Sequence, residues 1–346
     1  MAKRKGSVGM KVVLLLVALA AGGAWYMWRT VVGPGVRFEE SSKVLHIRTG
    51  ADIDEVIDSL VAMGAVEHAQ GLRWLSERKN YASRVRPGRY RIERGMSLNA
   101  LVNRLRAGEQ DPVRITFSNM RYLHDLAGKL GRGLEPDSLD FLSAFMDTER
   151  QRSLGLAPET MITLFIPDTY EFWWTTTPEQ FIRRMQREHA AFWNTQRRKK
   201  AGELGLTPEE ASTLASIVQA ETVRMSDAPR IAGVYLNRLR IGMPLQADPT
   251  LKFALGLDSV RRVLNTDKLV DSPYNTYRRT GLPPGPINMP EGRFIDAVLN
   301  AEHHQFLYFC ARADLSGFSD FSRTYEQHQV YARRYQKALN ERGIYR

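Results

Sequence analysis

The sequence is poor in cysteine and histidine, the residues on which many catalytic and metal sites depend. Its 346 residues include one cysteine, Cys310, and seven histidines. A single cysteine excludes an intrachain disulfide and a cysteine-based metal cluster. Cys310 lies in the apolar segment 306–310, which predicts a buried strand and a core thiol rather than a nucleophile. Because His303, His304 and His328 are too sparse to indicate a metal site, we predict no metal and no cofactor.

The chain also lacks the short motifs of several common hydrolases. It contains no GxSxG elbow, no HExxH pair and no Walker-type phosphate loop. The sequence therefore gives no support for a serine hydrolase, a zinc protease or a nucleotide hydrolase. Acidic residues are few relative to basic ones, 38 against 49, which gives a formal net charge of +11. Such a charge suits nucleic acid, an anionic membrane or an anionic polymer as partner.

One uncharged run near the N-terminus favours the membrane and the cell wall over nucleic acid. Residues 12–28 carry no charge and follow four basic residues. At ~1.5 Å per residue this run would form a helix of roughly 26 Å, close to the ~30 Å bilayer core. Its basic flank predicts a cytoplasmic N-terminus and an exported body, so we expect no nucleic-acid partner. The alternative is a cleaved signal peptide with its site at 18–20. Trp25 and Trp28 suit a membrane interface and favour the uncleaved anchor.

Three weakly similar units of strand, turn and helix follow this run. Strand patterns at 44–48, 88–92 and 113–117 alternate with period two, and each leads into apolar residues at helical spacing. A further helical stretch lies around 72–75. The pattern predicts a small α+β module over residues 36–110, which the third unit joins to the rest of the chain.

An aromatic segment interrupts a mostly helical pattern over residues 135–205. It comprises residues 167–172 and is followed at once by Trp173 and Trp174. Two interpretations are open: a loop packed against the core, which is favoured, and a wall on which saccharide rings stack.

An acidic residue lies on the most apolar face of the next predicted helix. The segment 207–210, Thr-Pro-Glu-Glu, is a capping box with proline at the first helical position, and it predicts a helix from Pro208 to about 224. At about 100° per residue, Leu214, Val218 and Glu221 lie within about 60° of one another. A carboxyl group among apolar neighbours favours its neutral form, so we predict a raised pKa for Glu221. A general acid for glycosidic bond cleavage needs that property.

Helix position alone leaves a second interpretation of Glu221 open. The carboxylate could pair with Arg224 or Arg230, or cap a neighbouring loop. A helix at 228–240 and three proline-rich or polar loops follow, at 243–250, 274–277 and 281–287. Prolines make such loops rigid, and rigid polar loops beside a buried carboxylate are typical of an active-site rim.

Several short motifs occur together in a characteristic order. They are 214–218 (LASIV) with Glu221, 237–239 (NRL), 245–246 (LQ) with 248–250 (DPT), 274–277 (YNTY), 281–286 (GLPPGP) and 321–325 (FSRTY) with His328. Two further matches lie at 167–170 (PDTY) and 88–90 (GRY). Through these residues the chain resembles the YceG-like endolytic murein transglycosylases, the MltG family. The resemblance covers nearly everything after residue 32.

This resemblance implies an α+β fold in three parts. Residues 1–32 would form a cytoplasmic tail and transmembrane anchor, residues 36–110 a LysM-like module, and residues 111–346 a mixed α+β catalytic domain with its core from about 160 onward. The implied protein is single-pass in the cytoplasmic (inner) membrane, with the catalytic domain in the periplasm.

The resemblance also implies the activity and the site. The family cuts within glycan strands of peptidoglycan, between N-acetylmuramic acid and N-acetylglucosamine, and leaves a 1,6-anhydro end without using water. Its catalytic glutamate falls on Glu221, and Gln246, Asn275 and Tyr277 match positions that would hold substrate. The implied partners are peptidoglycan strands, the membrane and peptidoglycan synthases (penicillin-binding proteins), and the implied role is to terminate nascent strands.

A single carboxylate is enough for this reaction. Glu221 would protonate the departing glycosidic oxygen and then accept the proton of the muramyl 6-hydroxyl as that hydroxyl attacks C1. The tethered hydroxyl replaces the water that a second carboxylate would activate. A hydrolase normally uses a carboxyl pair about 5 to 9.5 Å apart. Asp248 is the candidate second member, although its Ala-Asp-Pro-Thr setting is also an ordinary turn.

The sequence differs from the family pattern at two places, and two other functions remain as alternatives. Gln219 replaces an acid common in relatives, and 317–319 lacks a usual histidine. A muramidase that uses water and a non-catalytic wall-binding scaffold are the alternatives.

Overall fold

The computed structural model describes residues 6–67, 69–256 and 264–343. The chain divides into two compact units. Unit 1 comprises residues 1–114, 133–135 and 171–176, and unit 2 comprises 115–132, 136–170 and 177–346. Helices and three two-stranded sheets make up the described part, so the predicted α+β class is confirmed. The predicted domain limits at 36–110 and 111–346 stay predictions.

The N-terminal run forms a helix, as its composition predicts. Helix α1 spans Gly6–Val32 and contains the whole uncharged run. Among residues 6–67, 69–256 and 264–343, however, no helix combines the length and the apolar character that crossing a membrane requires. The predicted transmembrane helix is therefore not confirmed.

Unit 1 contains the first two predicted strand–helix units. Its elements are β1 (Ser42–Ile47), α2 (Ile53–Ala62), α3 (Ala69–Arg78), β2 (Gly88–Glu93) and α4 (Leu98–Ala107). Strands β1 and β2 pair antiparallel, with Leu45 opposite Tyr90. Both of these side chains are buried in the core of the unit. Helix α4 is capped by Ser97, whose Oγ accepts a hydrogen bond from the backbone N–H of Ala100 at 3.1 Å.

The middle of the chain is mostly helical, as predicted. Its elements are β3 (Val113–Phe117), α5 (Leu123–Gly133), α6 (Ser138–Met146), α7 (Thr148–Ser153), β4 (Asp168–Phe172), α8 (Pro178–Phe192) and α9 (Thr195–Glu203). Strands β3 and β4 form the second sheet. The aromatic segment favoured as a loop is thus strand β4, because its side chains alternate between exposed and buried positions. Tyr170 is buried and stacks on Phe117, which places it in the core.

The remaining elements complete unit 2, and most of them contribute to one hydrophobic core. They are α10 (Pro208–Glu221), α11 (Ala228–Arg240), α12 (Asp248–Leu255), α13 (Gly292–Leu299), β5 (Tyr308–Ala311), β6 (Ser319–Ser322) and α14 (Tyr325–Glu341). Short 3-10 helices lie at Met161–Leu164, Met225–Asp227 and Asp267–Leu269. Cys310 lies on β5 as predicted, but it is half-buried rather than buried. Burial still raises the pKa of its thiol to about 11, which suits a core thiol.

Helix α10 begins where its sequence predicts. Thr207 Oγ1 accepts from the N–H of Glu210 at 3.2 Å, and Glu210 Oε2 accepts from the N–H of Thr207 at 2.8 Å. The predicted extension to 224 is wrong, because Thr222 is extended (φ −123°, ψ 139°) and Glu221 is the last helical residue. The hydroxyl of Thr222 instead accepts from the N–H of Arg224 at 3.0 Å, a local turn that competes with the helix.

The middle of helix α10 is buried on all sides rather than on one apolar face. Every residue from 211 to 218 is buried, including its serine and threonine residues. Ser216 Oγ accepts from the N–H of Ile287 at 3.0 Å, and the Ser216 carbonyl accepts from Asn288 Nδ2 at 3.1 Å. Gln219 Oε1 accepts from the N–H of Glu291 at 2.8 Å. The segment that follows the GLPPGP loop is therefore fixed against the helix that carries Glu221.

Candidate active site

A cavity of about 320 Å³ lies at the C-terminal end of α10. Aromatic side chains form much of its wall: Tyr235, Tyr277, Tyr308, Phe309 and Tyr325. Glu221, Gln246 and Asp248 also line it, together with Arg238 and His328. The structure thus brings three of the four predicted site residues, Glu221, Gln246 and Tyr277, into one cavity.

Glu221 occupies this cavity with one direct hydrogen bond to a neighbouring helix. Tyr235 Oη, on α11, donates to Glu221 Oε1 at 3.0 Å. Glu221 is partly buried, and this partial removal from water disfavours the charged carboxylate and raises the pKa of Glu221 to about 7. The hydrogen bond from Tyr235 and the charges of Lys252 and Arg238 act against this rise, and the charge of Asp248 adds to it. The raised pKa expected from the apolar spacing of α10 is present.

Neither of the two arginines considered as ion-pair partners reaches Glu221. Arg224 donates through Nη2 to the carbonyl oxygen of Ser316 at 2.7 Å. Arg230 pairs with Glu302, with Nε and Oε2 2.7 Å apart. The ion-pair interpretation is wrong for both residues, because each guanidinium is held by a distant part of the chain.

A second carboxylate, Asp248, lies on the same cavity at the start of α12. Tyr277 Oη donates to Asp248 Oδ1 at 2.6 Å, so the hydroxyl of this predicted substrate-binding residue is used within the protein. The two segments that carry them are joined: Gln246 N–H donates to the Thr276 carbonyl at 3.0 Å. Gln246 itself adopts φ 52°, a left-handed conformation that costs a non-glycine residue energy. Its side chain is exposed at the cavity.

Asn275, the fourth predicted site residue, is fully buried and does not line the cavity. Its Nδ2 donates to the carbonyl oxygens of Lys268 and Val270, at 3.0 and 2.7 Å. Its Oδ1 accepts from the N–H of Tyr277 at 3.0 Å. The amide shapes the loop that presents Tyr277.

Sequence reasoning missed Tyr235 and Arg238. Arg238 is buried, and its guanidinium donates to the carbonyl oxygens of Leu307 at 2.7 Å and Leu245 at 2.6 Å. It also lies 5.2 Å from the centroid of the Tyr308 ring. Tyr235 and Arg238 are three residues apart, so they share one face of α11. The NRL motif pointed to this helix, but only the tertiary structure shows which face meets the cavity.

His328 lines the cavity from α14, and its ring stacks on Tyr308 with centroids 5.5 Å apart. Burial, aided by the charge of Arg238, lowers the pKa of this imidazole below its ordinary value. Near neutral pH the ring is therefore uncharged. The other two histidines considered, His303 and His304, lie outside the cavity lining.

Comparison with known proteins identifies the family. The sequence model described as the YceG-like family matches residues 45–334, which is most of the chain. The chain belongs to the YceG-like family. The resemblance found in the short motifs is thereby confirmed.

Individual relatives of this YceG-like chain are distant but cover it well. A Bacillus subtilis protein named endolytic murein transglycosylase is 26% identical over 340 residues, 94% of this chain and 93% of the relative. A Streptococcus pneumoniae protein of the same name is 27% identical over 336 residues, 86% of this chain, and the match spans 60% of that longer relative. A crystal structure of a YceG-like protein from Listeria monocytogenes superposes with a TM-score of 0.56 at 26% identity, covering 84% of this chain and 99% of the other.

Proposed function

We propose that this YceG-like protein is an endolytic peptidoglycan lytic transglycosylase. It would break the bond between N-acetylmuramic acid and N-acetylglucosamine within glycan strands and leave 1,6-anhydro ends. One observation carries the proposal: a glutamic acid with a pKa of about 7 lies in a cavity lined with aromatic side chains. The name of the Bacillus and Streptococcus relatives supports the same reaction.

The chemistry uses Glu221 twice. Near pH 7 about half of the Glu221 side chains carry a proton, so a general acid is available without a second carboxyl group. The proton passes to the glycosidic oxygen as its bond to C1 breaks. The 6-hydroxyl of the same muramyl sugar then forms a bond to C1 and gives its proton to the Glu221 carboxylate, which restores the starting state. The exposed ring of Tyr325 offers a face for a sugar at this cavity.

A muramidase that cleaves the same bond with water is the second candidate. It is favoured by one observation, the presence of a second carboxylate, Asp248, on the same cavity. In that reaction Asp248 would activate a water molecule or attack C1. The hydrogen bond from Tyr277 to Asp248 gives this carboxylate a structural role instead, because it joins the loop at 274–277 to α12.

We further propose that the protein is anchored in the cytoplasmic membrane and acts in the periplasm on nascent strands beside a peptidoglycan synthase. The basic residues before α1 and the module resembling LysM support this placement. If peptidoglycan is bound but never cut, the protein is a wall-binding scaffold instead.

The test is a digestion of purified peptidoglycan with the full-length protein, followed by mass spectrometry of the product ends. We expect 1,6-anhydro ends on fragments of mixed length, and none from Glu221→Gln. Glu209→Gln is the matched control, since Glu209 lies on the same helix outside the cavity lining. Reducing ends that disappear in Asp248→Asn would show the muramidase. Binding without cleavage by the unmodified protein would show the scaffold.

A further inference from the structure

We infer that Tyr235 is a positioning residue that holds the acidic proton of Glu221 on Oε2 and sets the upper pH limit of the reaction. The inference rests on the proposed function and deepens it. It assigns a role to a side chain that the family motifs do not identify. The structure supports it through the place of Tyr235, the direction of its hydrogen bond and the surroundings of Glu221.

The phenol of Tyr235 is fixed by its packing. The residue is only 1% exposed, and its ring meets Phe309 edge-on, with centroids 5.8 Å apart and planes at 90°. Because the ring has little freedom, its hydroxyl stays aimed at Glu221 Oε1, 3.0 Å away. The carboxyl group is therefore held by one of its two oxygens.

The direction of this bond decides which oxygen carries the proton. A neutral carboxyl group has one carbonyl oxygen and one hydroxyl oxygen, and the carbonyl oxygen is the better acceptor. A phenol that donates to Oε1 of Glu221 therefore favours protonation at Oε2. Burial and the nearby Glu221 carboxylate raise the pKa of Tyr235 far above its ordinary value, so the phenol remains a donor throughout the working pH range.

The same bond lowers the pKa of Glu221, because it stabilises the carboxylate. The other charged groups that act on Glu221 are Arg238 from α11 and Asp248 and Lys252 from α12. Arg238 and Lys252 favour the carboxylate and Asp248 disfavours it. Tyr277 and His328 also line the cavity. Tyr277 is a phenol that donates to Asp248, and His328 is an uncharged ring. Tyr235 alone has a direct hydrogen bond to Glu221 among the described residues.

Tyr235→Phe tests the inference, since it removes one oxygen atom and keeps the ring. The rate kcat/KM should fall at high pH as Glu221 loses its proton. The hydrogen bond is stronger to the carboxylate than to the neutral carboxyl group, so in the variant we expect this fall to move up by about one pH unit. We also expect a lower plateau at acidic pH, because the carboxyl group is less well oriented and is a weaker acid.

Tyr170→Phe is the matched control. Tyr170 is also buried in unit 2, and its hydroxyl donates to the Ile166 carbonyl at 2.8 Å, away from Glu221. This variant should lose stability but keep the pH profile of the unmodified protein. A shift of the same size in both variants would mean that general loosening, rather than the bond to Glu221, moves the profile.

A direct titration of the Glu221 carboxyl carbon by 13C NMR gives a readout besides activity. An upward pKa shift in Tyr235→Phe supports the inference even if the variant is slow. An unchanged or lower pKa overturns it. If the unmodified protein makes no anhydro product, the proposed function fails. If it makes that product and the variant titrates as before, only the role of Tyr235 fails.

Discussion

Replacing Glu221 with glutamine should remove one contribution to the pH dependence of the protein's stability. The folded-state pKa of Glu221 is about 7, against an ordinary value of 4.5. Folding therefore takes up a proton between these values. The resulting stabilisation is fully present below about pH 4.5 and is lost as the pH rises through about 7. With 1.36 kcal/mol per pKa unit, linkage gives a loss of about 2.5 kcal/mol between pH 5 and pH 8.

Glu221→Gln abolishes this loss, because glutamine is uncharged at both pH values. Its amide carbonyl can still accept the hydrogen bond from Tyr235. Relative to the unmodified protein, we thus expect the variant to gain about 2 to 3 kcal/mol in unfolding free energy on going from pH 5 to pH 8. Urea unfolding of the full-length protein, followed by tryptophan fluorescence at both pH values, measures the difference. Glu209→Gln controls for loss of a glutamate from the same helix.

An equal effect of Glu221→Gln at pH 5 and pH 8 would refute the reasoning. It would mean that Glu221 is charged in the folded protein at both values. The argument for a general acid near neutral pH would then be lost, whatever products the protein makes.

Three further substitutions test the surroundings of Glu221 and the packing of α11. Asp248→Asn should move the fall of kcat/KM to lower pH, since the charge of Asp248 raises the pKa of Glu221; a pH–rate profile that stays in place would contradict this. Arg238→Met should lower the unfolding free energy by about 3 kcal/mol, because the buried carbonyl oxygen of Leu245 and the part-buried one of Leu307 lose their donor. Urea unfolding measures that loss, and a change below about 1 kcal/mol would show that water replaces the guanidinium. Gly233→Ala should lower the melting temperature, as its Cβ would lie 2.5 Å from the Glu302 carbonyl oxygen; an unchanged melting curve would show that this backbone yields.

The sequence predicted features whose causes are local. The capping box of Thr207 and Glu210 needs only four consecutive residues, and the structure contains both of its hydrogen bonds. The start of α10 at Pro208 follows from the same residues. The raised pKa of Glu221 also followed from the spacing of its apolar neighbours. Such patterns depend on dihedral preferences and helix geometry, which a few neighbouring residues determine.

Features set by contacts between distant segments were not predictable in the same way. Asn275 belongs to a family motif, yet its amide is used entirely on nearby backbone groups. Gln219 was noted only as the loss of an acid, whereas it binds the backbone of Glu291, 72 residues away. Tyr235 reaches Glu221 only because α11 packs beside α10. The spacing of apolar residues within one helix does not predict which helix will pack against it.

The early end of α10 has an electrostatic consequence for Glu221. A helix carries a partial negative charge at its C-terminus, from carbonyl groups without helical partners, worth about 0.3 to 1 kcal/mol to a nearby charge. Since Glu221 is the last residue of α10, its carboxylate lies in this unfavourable field, and the proton is held more tightly. The turn at Thr222 thus contributes to acidity as well as to shape. Residues there that extended the helix would carry its negative pole away from Glu221 and make the acid stronger.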